Sequence, residues 1–135
     1  MKLKLVVVTP EEKAVETEAD EVQLPGELGY LGILPRHTPL ITLLKTGVLS
    51  YKNAGAEKSF AVSSGFAEVA ADQVTVLADL AEGPAQIDAA AAAQDRARAE
   101  EALKTASRET MEQIRGQLEL AQARLAVAGA AGRSA

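Results

Sequence analysis

Pro84 divides this chain into two stretches that cannot follow the same folding rules. All five prolines lie at or before it, as do all four aromatic residues, Tyr30, Tyr51, Phe60 and Phe66. After it come seventeen alanines, no proline and no aromatic. Proline removes a backbone donor and breaks helices, β-branched and aromatic side chains suit strands, and alanine is the best helix former. The chain is therefore expected to be α+β, with a β domain over residues 1–84 and a helical domain over 85–135.

The first stretch reads as short strands broken by turn residues, the pattern of an antiparallel sandwich or barrel. Lys2-Leu3-Lys4-Leu5 alternates before the turn at Thr9-Pro10, and Val22-Gln23-Leu24 alternates and stops at Pro25-Gly26. Gly47 through Lys52 runs into Asn53-Ala54-Gly55, a hairpin signal. Phe60-Ala61-Val62 and Phe66 through Val69 flank Ser63-Ser64-Gly65, and Val74 through Leu77 follows a turn at Ala71-Asp72-Gln73. The acid-rich stretch from Glu16 to Glu21 alternates with Thr17 and Ala19, as a solvated sheet edge does. A domain this small is expected to be modestly stable.

The second stretch is helical over 87–128 by propensity and by period. Asp88 supplies an N-cap acid, Ala89 through Ala93 follow, and Ser107 offers a second cap after a drop in propensity. Met111, Ile114, Leu118, Ala121 and Leu125 then recur at helical spacing as a single narrow stripe. Ala92, Ala99, Leu103 and Ala106 offer a matching side on the first helix, which predicts an antiparallel hairpin with this seam. The tail from about residue 129 is expected to fray. An alanine-rich seam buries little area, so the hairpin is expected to be marginal and to open where a partner offers a better surface.

Several function classes are excluded early. There is no cysteine, which removes disulfides and thiol chemistry, and the single histidine, His37, cannot build a multi-histidine metal site within one chain. The net charge of −5 argues against a nucleic-acid partner, and the whole acidic excess lies in residues 1–84. No apolar run approaches the roughly 20 residues of a membrane span. The start, Met1 through Val8, ends in Thr9-Pro10-Glu11 rather than a cleavage site, so a mature, soluble, intracellular protein is expected, without direct membrane insertion.

Among candidate sites, Gly26, Gly29 and Gly32 are evenly spaced, but Pro35 and Pro39 stand where a phosphate loop needs a helix. A long turn exposing Leu28, Tyr30 and Leu31 as a protein contact fits better. His37 has no evident nucleophile or carboxylate partner, so a hydrogen-bonded structural role is expected. Arg108 and Arg115 share a helix face and, with Arg96, Arg98 and Lys104, suit an acidic partner. A salt-bridged, solvated face is the simpler reading, since Glu112 lies four residues from Arg108.

Taken in order, these segments resemble the epsilon subunit of the bacterial and chloroplast F-type ATP synthase. The resemblance runs through Val7-Val8-Thr9-Pro10-Glu11, Pro25-Gly26-Glu27-Leu28-Gly29, and Gly32-Ile33-Leu34-Pro35-Arg36-His37-Thr38-Pro39-Leu40. It continues through Lys45-Thr46-Gly47, Ser64 through Val69 and Val74 through Asp79.

The resemblance implies a flattened β-sandwich of about ten short strands followed by a two-helix hairpin. It implies a non-catalytic rotor component of the F1 sector, with no cofactor or bound metal, peripheral to the cytoplasmic face of a bacterial inner membrane. Its partners would be the gamma subunit, the ring of c subunits and the alpha and beta subunits. On the same basis Glu27, Leu28, Gly29, Tyr30 and Leu31 are the expected ring contact, and Ile33, Leu34, His37, Pro39 and Leu40 lie in the expected gamma contact region. A hairpin that leaves the sandwich would oppose ATP hydrolysis, with Arg108, Arg115 and Arg124 as candidates to meet the beta subunit, although Arg124 points away from the other two and one basic face does not contain all three. Some relatives bind ATP through Ile/Leu-Asp-x-x-Arg-Ala. Here Asp88 is present but Ala91 replaces the arginine, so weak or absent ATP binding is expected. A stand-alone adaptor or nucleotide-sensing module with the same architecture is the alternative, and co-purification with gamma separates the two.

Overall fold

A computed structural model describes residues 1–133. Ten strands precede a single 3₁₀ turn and two helices. The strands are Leu3–Val8 (β1), Lys13–Ala19 (β2), Glu21–Gly26 (β3), Gly29–Ile33 (β4) and Leu40–Leu44 (β5). They continue as Gly47–Asn53 (β6), Ala56–Val62 (β7), Gly65–Ala70 (β8), Gln73–Ala78 (β9) and Ala81–Glu82 (β10). Helices Ala89–Leu103 (α1) and Arg108–Arg133 (α2) follow.

The strand order is β10-β7-β6-β3-β5-β8-β9-β1-β2, with β4 paired to β3, and the sheet folds over itself as a sandwich. Every pairing is antiparallel except β1 with β9. That parallel pair departs from the all-antiparallel expectation, and the long connection between the two strands permits it. Alternation fills the core: Leu3, Leu5 and Val7 point inward while Lys4 is exposed. Val22, Leu24, Leu49, Val69, Val74 and Val76 meet them from the other strands. The Tyr51 and Phe60 rings stack inside at 6.3 Å. The other two aromatics, Tyr30 and Phe66, lie on the surface. Glu16 and Glu18 lie exposed on the edge strand β2, as the acidic alternation predicted.

Two hairpins close through left-handed residue pairs, Ala54-Gly55 (φ 53° and 84°) and Ala71-Asp72 (φ 51° and 58°). Side chains hold both. Asp20 accepts from the Ala54 N–H at 3.0 Å, and Asp72 accepts from the Arg36 N–H at 2.6 Å.

The segment expected to be a long turn after Leu24 is instead a hairpin. β3 continues through Pro25 and Gly26, and β4 returns with Pro25 opposite Tyr30 and Gly26 opposite Gly29. Gly26 permits this closure, because a Cβ there would lie 2.7 Å from the Gly29 carbonyl oxygen. Pro25 has no N–H to donate, but its carbonyl still accepts from the Lys45 N–H at 2.8 Å.

Capping follows expectation. Asp88 accepts from the Ala91 N–H at 3.0 Å, and Ser107 Oγ accepts from the Thr110 N–H at 3.3 Å. The helices pack as an antiparallel hairpin, and α2 also lies on β6 and β7. Ala92, Ala99 and Ala121 are buried, and Leu103, Met111, Ile114, Leu118 and Leu125 are half-buried. The single stripe expected on α2 is therefore incomplete. Ala123 and Val127 form a second one, packed on Ala61 with Val48 and Ile87. α2 continues to Arg133, past Gly129, where the composition predicted fraying; Ser134 and Ala135 lie outside the described residues.

Candidate functional site

The turns gather at two opposite ends of the sandwich, and the candidate segments separate with them. At one end the β3–β4 hairpin turns through Glu27-Leu28. The Glu27 N–H donates to the Leu43 carbonyl at 3.0 Å, which anchors the turn to β5. Leu28 stands fully exposed at 102%. Gly29, at φ 132°, occupies a conformation closed to other residues. Tyr30 is largely exposed, yet its hydroxyl accepts from the Val48 N–H at 3.2 Å. A rigid tip results, with one apolar side chain at its apex. Leu31 does not belong to it, because it packs against the core.

The 34–39 connection lies at the other end, beside the Ala71-Asp72 turn. Ile33 is fully buried in the core and out of reach of any partner. Leu40 is half-buried against the same core, while Leu34 and Pro39 are exposed. The His37 N–H donates to the Leu34 carbonyl at 3.1 Å, and Nδ1 lies 2.7 Å from the Thr38 carbonyl oxygen, a spacing suited to an Nδ1–H donor. The histidine orders its own loop, the structural role expected of it.

Sequence reasoning missed the third surface. Leu43, Phe66 and Leu77 are cross-strand neighbours on β5, β8 and β9, and all three face outward. Ile41 extends the patch and is 72% exposed. Its signal was the unbroken run Leu40-Ile41-Thr42-Leu43-Leu44. A strand apolar on both faces, within a sheet that has one face in the core, implies something on the other.

On the hairpin, Arg124 does not share the exposed face of Arg108 and Arg115. Its Nε and Nη2 donate to the two carboxylate oxygens of Glu82 in β10, at 2.6 and 3.2 Å. That pair ties α2 to the sandwich, so in this arrangement Arg124 is not available to a beta subunit. Arg115 lies 3.7 Å from Glu112, and both are exposed. Arg96 pairs with Glu100 and Arg98 with Asp95. At the suspected nucleotide motif Asp88 serves as helix cap, and Ala91 brings no cation.

Glu16 is held below the usual carboxylate range by a hydrogen bond from Lys13, and Asp20 by hydrogen bonds from Lys2 and the Ala54 amide. Burial pushes the Tyr51 hydroxyl up within the core. Among the described residues no cluster of three metal-ligating side chains occurs, and no helix is long and apolar enough to cross a membrane.

A ten-stranded β-sandwich with an exposed apolar row, followed by a helical hairpin ion-paired to it, defines the class of fold. The family described as "ATP synthase, Delta/Epsilon chain, beta-sandwich domain" matches residues 2–84. The ATP synthase epsilon chain of Geotalea daltonii is 43% identical over 98% of this chain and 97% of its own. That of Halalkalibacterium halodurans is 43% identical over 94% and 97%. A chain of the Euglena gracilis mitochondrial ATP synthase, from a cryo-EM structure that includes the c-ring, shares the fold with a TM-score of 0.82. It has 20% identity and covers 93% of this chain and 80% of its own. This chain belongs to the ATP synthase epsilon-chain family.

Proposed function

We infer that this chain is the epsilon subunit of a rotary ATP synthase, a non-catalytic component of the central stalk that joins gamma to the c-ring. The observation that carries this reading is the likeness to epsilon chains along both the sandwich and the hairpin, 98% of the chain in one case. A stand-alone adaptor would not require that match over both parts.

The two ends of the sandwich suit two partners. The Glu27-Leu28 tip, stiffened by Gly29 and Tyr30, fits the ring, where an apolar apex on a pinned turn transmits torque without bending. Leu34, His37 and Pro39, at the opposite end, fit gamma. As part of that complex the chain is peripheral, and the bacterial relatives favour the cytoplasmic face of the inner membrane. Detachment of the hairpin along gamma would bring Arg108 and Arg115 within reach of the beta subunit and oppose hydrolysis, with Arg124 joining them once Glu82 releases it. The helix cap at Asp88 and the methyl of Ala91 support weak or absent ATP binding.

Co-expression with gamma tests the assignment: a stable stoichiometric complex is expected, and its absence refutes it. Removing residues 86–135 should raise ATP hydrolysis by the assembled enzyme. Unchanged hydrolysis would remove the inhibitory role.

A further inference from the structure

Leu43, Phe66 and Leu77 form the floor of a groove of about 1030 Å³ between the sandwich and α2. The C-terminal half of α2 meets the sandwich through Ala123 and Val127, while its N-terminal half presents Glu112, Gly116 and Glu119 to the groove. Gly116 leaves that wall open, with no atom within 4 Å of where its Cβ would stand. Glu27 and Asp79 stand on the sandwich side, so carboxylates line both walls, against one lysine, Lys45. Among the described residues Glu27, Asp79 and Glu119 lie in no ion pair, and Glu112 alone of the four is matched, by Arg115 at 3.7 Å. Floor and rim call for different chemistry. Leu43 is 58% and Phe66 44% exposed, apolar area that a bare metal ion does not cover. The carboxylates on both walls repel an anionic ligand such as a fatty acid or a nucleotide.

We propose that this groove binds an aliphatic polyamine, whose methylene segments lie on the apolar floor and whose ammonium groups meet the carboxylates of both walls. Such a molecule alternates apolar and cationic units, as the groove alternates apolar floor and acidic rim. An ammonium over Phe66 gains the attraction of the ring face as well. Glu112 and Glu119 belong to α2, whereas Glu27 and Asp79 belong to the sandwich. A ligand that bridges them binds the docked hairpin more tightly than the free one and shifts the hairpin toward docking. Binding needs this chain alone and is independent of the central-stalk reading.

The test is calorimetric titration of the full chain with spermidine, at low and high salt. Saturable binding that weakens with salt is expected. Glu112→Gln with Glu119→Gln should weaken it about threefold to tenfold at low salt, the worth of two exposed ion pairs. Glu18→Gln with Glu57→Gln makes the same charge change on exposed residues outside the groove, and should leave binding within about twofold. Phe66→Ala should weaken it about twofold to fivefold. Magnesium, which brings no methylenes, should displace spermidine only at about tenfold excess or more. Glu82→Gln, which frees the hairpin, should weaken binding too. Circular dichroism confirms that each variant is folded. Equal losses from the two glutamine pairs overturn the proposal, because the polyamine then answers only to net charge. So do absence of binding to the parent chain, indifference to Phe66→Ala, displacement by equimolar magnesium, and tighter binding to the Glu82→Gln chain.

Discussion

Glu82→Gln is the substitution from which the hairpin's behaviour follows most directly. It keeps the shape of the side chain and removes the charge that faces Arg124 across a bidentate contact. The Arg124 and Glu82 side chains are 25% and 22% exposed, between the two regimes for which ion-pair magnitudes are known. Exposed pairs are worth about 0–1 kcal/mol, and breaking a buried one costs about 3–5 kcal/mol. A pair a quarter exposed, leaving Arg124 unmatched, should cost about 1–2 kcal/mol, which lowers the ratio of docked to free hairpin roughly 5–30-fold. The apolar part of the same contact is small. Burying Val127 is worth about 1.5–3 kcal/mol, and the alanine methyls beside it under ~1 kcal/mol each. The ion pair therefore rivals the hydrophobic contact in holding α2 down. Energy transfer between fluorophores on cysteines introduced at exposed Lys58 and Gln94 reads the docked population, and no native cysteine interferes. The Glu82→Gln chain should show a larger free fraction and less response to added salt than the parent. The swap Glu82→Arg with Arg124→Glu should restore part of the docking. An unchanged docked fraction in Glu82→Gln would refute the reasoning, since the apolar contact alone would then suffice.

Gly65→Ala should destabilise the sandwich by about 2 kcal/mol or more, read by urea unfolding, because the new Cβ would lie 1.9 Å from the Leu77 carbonyl oxygen. Ala71→Gly should stabilise it by roughly 0.5–1 kcal/mol, read as a higher melting temperature, since Ala71 sits at φ 51°. The Asp20 carboxyl is held below its ordinary value of 3.8, so its contribution is present above that value and fades as pH falls through the lower folded one. Asp20→Asn should accordingly be less stable than the parent at neutral pH, with the gap closing on acidification below 3.8.

Strand and helix territories were legible because they rest on local chemistry. Proline, aromatic and β-branched residues crowd the first 84 positions, and Asp88 and Ser107 signal their caps within one turn. The β3–β4 hairpin was misread for the converse reason. Pro25 and Gly26 are turn residues by habit, and only the partner strand, closing against Gly26, makes them strand.

The division at Pro84, the hairpin and the resemblance to epsilon chains were all present in residue order, because propensity, capping and motif spacing act over short separations. Tertiary structure alone decided that Ile33 is buried beyond contact and that the Glu27 and His37 loops stand at opposite ends. It also aligned Leu43, Phe66 and Leu77 from three strands into one exposed row. The same holds for the pairing of Arg124, which helical spacing had already turned away from Arg108 and Arg115 but left as a candidate for a beta-subunit contact. Its partner Glu82 lies 42 residues away, and no local period reports a contact made only when a helix folds back on a strand.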